Sequence, residues 1–282
     1  MPRPAPSIDR TVALLNFLAT RPDEAFSLSE LSRRVGIAKP TAHAMLAALT
    51  DAGYLLRHPA DKTYALGPAL VAVGAAAAKR ELDLVTYARD QMGRLADELG
   101  VEVVASAAVG EEIVMLARAG EPRPLGVRLD VGQRLPLVPP LGTVFVAWSP
   151  PDVIDGWLRR VGPSTTDADL ERYRAALDAV RRRGYLVGLE PAGGGVRPAA
   201  AEMVEDLGHQ EYVLLELDRA APYRPMHMAA PVFGPDGSVA MALTLIGFRG
   251  QLRVEKVPEI GERLLDAART VTKAIGGVVH DE

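Results

Sequence analysis

The sequence predicts an α+β protein in two parts: an N-terminal winged helix-turn-helix and a C-terminal domain whose antiparallel sheet is flanked by helices. Residues 27–57 hold two short helical patterns about a Gly turn, and strand-like runs follow at once. From Val101 the texture changes to short strands joined by tight turns, with helices interspersed. A chain of 282 residues, 48% of them hydrophobic, can bury one large core or two moderate ones, and its length favours two. The expected divisions are 1–67 for the winged helix-turn-helix, 68–83 for a linker helix and 84–282 for the α+β domain.

Residues 1–6, Met-Pro-Arg-Pro-Ala-Pro, read as an unstructured tail. A first helix is expected over 7–19, with Ile8, Val12, Leu15 and Leu18 on its buried face. Leu28, Leu31 and Val35 then recur at i, i+3, i+7, and Ala42, Met45, Leu46 and Leu49 at i, i+3, i+4, i+7, which places each set on one helical face. Ser27 or Ser29 can cap the first of these helices. Pro40 suits the opening turn of the second, where its missing N–H would have no partner. Helix pairs about a Gly turn occur in many compact proteins. What distinguishes this one is the sequel: Asp51-Ala52-Gly53 stops the helix, 54–58 reads as a strand, 59–62 as a turn and 63–66 as a return strand. A hairpin directly behind such a pair is a wing, and the second helix of the pair is the one that enters the DNA major groove by its N-terminal end.

Residues 68–79 form an Ala/Val-rich helical pattern, and 84–99 another, with apolar residues at Leu84, Tyr87, Ala88, Met92, Leu95 and Leu99. Such helices pair with a second copy or pack on their own domain, and the pattern leaves both open. Strands are then expected over 101–109, 113–119, 125–129, 185–189, 212–217, 228–233 and 239–246. Helices are expected near 141–148, 151–160, 167–183, 199–207 and 258–275. Gly110-Glu111, Gly184 and Pro235-Asp236-Gly237 are turn signals. Neighbouring strands on short turns imply hairpins, hence an antiparallel sheet with helices over its faces.

Charge is unevenly spread. Residues 1–80 hold ten Lys/Arg against six Asp/Glu, and the remainder 22 against 30, giving the overall −4. A basic N-terminal module on an acidic body suits phosphate contact confined to one end. The chain has no cysteine, which excludes disulfides, thiolate zinc sites and a cysteine nucleophile. No secretory signal and no apolar run near the length of a membrane span is found, so a soluble, cytoplasmic protein is expected. His43, His58, His209, His227 and His280 show no metal-ligand spacing. Gly193–Gly195 lacks the strand before it and the Gly-Lys-Ser/Thr after it that a phosphate loop needs. Glu190, Glu202 and Glu205 read as solvated charges, and no paired nucleophile and base stands out. No metal, cofactor or enzymatic activity is expected.

At this point the residues resemble the IclR family of bacterial transcription regulators over essentially the whole length. The matching stretches are Ser7-Ile8-Asp9-Arg10, residues 28–57, Tyr64-Ala65-Leu66-Gly67, Gly132-Gln133-Arg134-Leu135-Pro136-Leu137, Leu141-Gly142, Arg183-Gly184-Tyr185, Ala229-Ala230-Pro231-Val232, and Asp236-Gly237 leading to 243–247. The resemblance implies a homodimer or dimer of dimers on a pseudo-palindromic operator, and a GAF-like C-terminal domain that binds a small organic effector. The candidate DNA-contacting residues are Ser7 and Arg10, Ser27, Lys39, Thr41 and His43, and Arg57 and Lys62 in the wing. The candidate effector-binding residues are Leu137, Leu141, Gly142, Gly188, His227, Thr244 and Ile246.

The departures from the family pattern are as informative. An Arg common in the recognition helix is Ala44 here, so Lys39, Thr41 and His43 carry more of the DNA recognition. The frequent Gly-Lys-Ala becomes Gly142-Thr143-Val144, an acidic residue becomes Gly188, a Cys becomes His227, and two Ser become Thr244 and Ile246. An extra stretch lies between Glu190 and His227. Loss of buried polar groups implies an effector with more apolar surface than a two- or three-carbon acid, since a polar group buried without a partner is costly. The expectation is therefore a transcriptional regulator, more a repressor than an activator, gated by a relatively apolar catabolic intermediate. The alternative is a small-molecule-binding or catalytic α+β domain whose N-terminal helices serve only association.

Overall fold

The computed structural model describes residues 5–19, 21, 23–121, 129–162, 165–189, 212–217, 225–248 and 252–279. The chain divides into two compact units, 1–82 and 83–282.

In the first unit, α1 (Pro6–Ala19), α2 (Leu28–Arg34) and α3 (Lys39–Asp51) pack on a small sheet of β1 (Phe26–Ser27), β2 (Leu55–Arg57) and β3 (Thr63–Leu66). Ser27 is the cap of α2. Its hydroxyl accepts from the Glu30 N–H at 3.3 Å, while the Ser27 N–H donates to the Glu30 carboxylate at 2.8 Å. This capping box settles the choice between Ser27 and Ser29. Gly36 (φ 66°) turns the chain, Pro40 lies in the first turn of α3, and Gly53 (φ 74°) ends it. The wing pairs Leu55 with Leu66 and Arg57 with Tyr64. Pairing of Phe26 with Tyr64 adds a third strand that the sequence did not predict. The core is Leu14, Leu18, Phe26, Leu31, Leu46, Leu55 and Tyr64.

The buried face of α1 differs from expectation. Leu14 and Leu18 are inside, Leu15 is partly so, and Ile8 and Val12 are 62% and 49% exposed. Only the C-terminal half of α1 reaches the small core, so the apolar residues of its first half stand in the open.

The expected break between two linker helices is absent: α4 runs from Ala69 to Leu99. Residues 79–83, Lys-Arg-Glu-Leu-Asp, contain neither Pro nor Gly and are mostly good helix formers. Ala88, Met92, Leu95 and Ala96 are buried, whereas Tyr87 is 45% exposed.

The second unit is built on a six-stranded antiparallel sheet. Its strands are β4 (Glu102–Val109), β5 (Glu112–Ala119), β6 (Arg134–Pro136), β7 (Leu186–Leu189), β8 (Pro225–Phe233) and β9 (Val239–Ile246), in spatial order β6-β5-β4-β9-β8-β7. One face packs against α4 and α8 (Val257–Ala274), through Val103, Ala230, Leu243 and Leu264 among others. The other packs against α5 (Thr143–Val146), α6 (Pro151–Leu158) and α7 (Asp167–Arg183), through Val104, Ala229, Ala242, Trp157 and Leu177. With both faces covered, β4 is buried from Glu102 to Ser106, and its last two residues, Ala108 and Val109, are exposed. A capping box of Thr166 and Asp169 opens α7, and Gly184 (φ 79°) closes it.

The short strand β6 was not predicted. The strand expected at 212–217 is instead a single bridge, Gly188 to Val213. The Arg183 guanidinium takes the Leu214 and Leu215 carbonyls, at 2.6 and 3.4 Å, so a ladder there loses its acceptors. Most of the expected strand 125–129, the expected helix 199–207, Gly193–Gly195, Glu190, Glu202, Glu205, His209, His280 and most of the tail lie outside the described residues.

Candidate functional site

In the first unit, Ala42 and Leu46 fix which side of α3 faces the core, and Met45 and Leu49 pack beside them. Lys39, Thr41 and His43 are exposed, as are Arg57 and Lys62 in the wing and Ser7 and Arg10 on the first turns of α1. The Arg57 guanidinium lies 5.8 Å from the Tyr64 ring centre. Lys62 holds the turn of the wing at φ 54°. Ser27 is half-buried at the start of α2, where its hydroxyl makes the capping box with Glu30. The cap of α3, Ala38, makes no side-chain hydrogen bond to the helix start. Sequence reading noted Ala44 only as the place of a missing Arg, and passed over the exposed Ala47 and Ala48 on α3. Their phase, half a turn from Ala42 and Leu46, is the signal that finds them.

In the second unit the predicted effector residues fall on one face of the sheet. Leu137, Leu141 and Ile246 belong to the apolar cluster beneath α5–α7. Thr244 pairs with both Ala229 and Val104, members of that cluster, so it points the same way. Gly142 (φ 84°) lies against Leu137: a Cβ there would stand 2.1 Å from the Leu137 Cδ1. Gly188 and His227 are cross-strand partners at the far edge.

Two polar pairs bracket this floor, and sequence reading found only one member of them. At the β7–β8 side, the Tyr212 hydroxyl is 3.5 Å from the His227 Nε2, with ring centres 5.3 Å apart. At the β4–β5 side, Glu102, 3% exposed, is paired with Arg118 at 2.6 Å, and Arg118 also reaches Asp130 at 3.1 Å. Glu102 sits opposite Ile246, and Arg118 opposite Val104. A register shift in the β4–β5 ladder turns Arg118 inward. Ile113 and Met115 face the floor, Leu116 is the extra residue, and beyond it Ala117 faces the other side and Arg118 the floor. Strict alternation from Ile113 puts Arg118 on the opposite face, which is why the sequence alone did not reveal it.

A cleft of about 140 Å³ lies elsewhere in this unit, walled by Trp148, Arg181, Arg183, Phe233 and Arg269. It shares no residue with the predicted set, and Arg181 and Arg183 are engaged with the Ala147, Leu214 and Leu215 carbonyls. Among the described residues, no group of three or more His, Cys, Asp or Glu is placed to hold a metal, and no helix is long and apolar enough to cross a membrane.

Both parts of the chain are similar to those of known bacterial regulators. Residues 7–59 match the family model described as the IclR helix-turn-helix domain, and 76–212 that of the bacterial transcriptional regulator IclR C-terminal domain. The HTH-type transcriptional regulator KipR of Bacillus subtilis (strain 168) is 25% identical, over 96% of this chain and 97% of that protein. An IclR transcriptional regulator from Alicyclobacillus acidocaldarius superposes with a TM-score of 0.73 at 22% identity, covering 97% and 100% of the two chains. An IclR homologue from Microbacterium hydrocarbonoxydans, solved as a complex with 4-hydroxybenzoate, superposes at 0.67 with 22% identity, covering 95% and 98%.

Proposed function

Because the chain belongs to the IclR family of bacterial transcriptional regulators, with a DNA-binding helix-turn-helix and an effector domain, we propose that it is a cytoplasmic repressor whose hold on a pseudo-palindromic operator is gated by a small organic effector with an apolar body. The family consists of regulators, not enzymes. The observation that supports the effector class is the make-up of one sheet face. Val104, Ala229, Thr244 and Ile246 form a largely apolar floor between the Glu102–Arg118 and Tyr212–His227 pairs. Such a floor favours a ring or aliphatic body, with polar groups at its ends to meet the two pairs. His227, helped by Thr244, is the main polar contact.

An effector moves the DNA-binding heads only if it binds one arrangement of the assembly better than another, since equal affinity shifts nothing. Two half-sites about one helical turn apart require two copies. The exposed apolar residues Ile8, Val12 and Val71 support a homodimer or a dimer of dimers.

Calorimetry on the full-length protein tests the effector class, with 4-hydroxybenzoate as the first probe and glyoxylate and pyruvate as competitors. The expected result is micromolar binding of the ring-bearing acid and negligible binding of the small ones, with Ile246→Ser shifting preference toward the small acids. If the wild type prefers glyoxylate or pyruvate, or Ile246→Ser changes nothing, the floor has been misassigned.

A further inference from the structure

The outward face of α3 carries methyl groups where a base-reading helix ordinarily carries long polar side chains. With Ala42 and Leu46 directed to the core, the residues about half a turn away are Pro40, Ala44 and Ala47, at about 100° per residue. Thr41 and Ala48 flank that row on one side and His43 on the other, and all six are exposed. Lys39 projects nearer the core side, and Arg33 and Arg34 belong to α2. Asp51 continues the outward row at the end of the helix, where its charge is repelled by DNA phosphates. The part of α3 that a groove accepts is therefore its first three turns, centred on Ala44 and Ala47.

This surface cannot make the bidentate hydrogen bonds by which Arg reads guanine or Asn and Gln read adenine. The one apolar group a base pair presents in the major groove is the thymine 5-methyl, and alanine and the threonine methyl are the side chains that match it. Short side chains also let the helix backbone come close to the base edges. We propose that this chain reads its half-site through thymine methyl groups touched by Ala44 and Ala47, with Thr41 beside them, so that the centre of each half-site is A·T. The inference rests on the reading of the chain as a sequence-specific DNA-binding protein.

Full-length protein is offered a pool of random-sequence duplexes, and the enriched consensus is resynthesised with deoxyuridine replacing one thymine at a time. Deoxyuridine lacks only the methyl, so the protein and the base pairing are unchanged. The expected result is an A·T centre in each half-site, with two thymines at which removal of the methyl weakens binding roughly three- to fivefold, the worth of one buried methyl-sized group. Ala44→Ser removes the sensitivity at one of them and Ala47→Ser at the other, while both variants melt like the wild type. A consensus with G·C at the centre, or one indifferent to deoxyuridine throughout, overturns the inference while leaving sequence-specific binding intact. If no sequence is enriched, sequence-specific binding itself fails and this inference falls with it.

Discussion

His227 and Gly188 face each other across β8 and β7, and the imidazole lies over the glycine backbone so closely that a Cβ at Gly188 would stand 1.8 Å from the His227 Cε1. The glycine therefore sets where the ring lies, and the ring in that place reaches Tyr212.

Gly188→Ala is expected to force the imidazole aside. Overpacking of this kind costs about 1–3 kcal/mol, read as a lower urea midpoint. Effector binding by calorimetry falls more than it does for a change of equal cost elsewhere, because the His227–Tyr212 pair is broken as well. Unaltered binding of the ring-bearing acid by a folded Gly188→Ala protein contradicts a role for His227.

The Glu102–Arg118 pair makes a second, asymmetric prediction. Arg118→Leu leaves a carboxylate that is almost fully buried without its partner, and such a change costs about 3–5 kcal/mol. Replacing both residues by leucine costs much less, since it removes the stranded charge. Urea denaturation of the two single variants and the double variant completes the cycle. Additive effects would show that the pair is not coupled.

Acid stability is expected to report on the start of α7. The Asp169 carboxyl is held down to about 2, first by the Thr166 N–H and hydroxyl at 2.8 Å each, then by Arg172. A carboxyl lowered on folding contributes stability that is complete above its ordinary unfolded value and is lost as pH falls toward the lowered one. The wild type should therefore lose its advantage over Asp169→Asn progressively between about pH 4 and pH 2. Parallel unfolding curves for the two proteins across that window would contradict the assignment.

At the DNA face, Lys39→Ala should weaken binding on every sequence and reduce the slope of log affinity against log salt by about one. Thr41→Ala and His43→Ala should instead relax sequence preference, by about 1–3 kcal/mol for each base pair no longer read. Ser27→Ala should lower stability by about 1 kcal/mol with the salt slope unchanged, because its hydroxyl caps α2. Filter binding at several salt concentrations separates the three behaviours. A salt slope that is the same for Lys39→Ala and the wild type removes Lys39 from the phosphate-binding set.

The helix-turn-helix was legible because its signals are local: apolar periodicity, a capping serine, a proline in the first turn and a glycine stop all lie within one stretch of sequence. The wing was legible for the same reason, down to the bounds of β3. Residues whose position depends on other parts of the chain were not. Ile8 and Val12 match a buried face by period, but nothing local tells where the core of a small unit ends. Tyr212 meets His227 only through the register at Gly188. Arg118 reaches the floor only because an extra residue in β5 reverses the alternation.

The Leu189 N–H donates to the Tyr212 carbonyl at 2.8 Å, and the Leu214 N–H to that of Val187 at 2.9 Å. The chain thus departs at Leu189 and is found again at Tyr212, its hydrogen-bonded neighbour. Closing a loop between fixed neighbours grows costlier only logarithmically, at about 0.6 kcal/mol for each doubling of its length. The sheet is then nearly indifferent to how much sequence is spliced in there. A change in the length of that connection therefore costs little, while the Gly188–Val213 bridge still fixes Tyr212 against the frame.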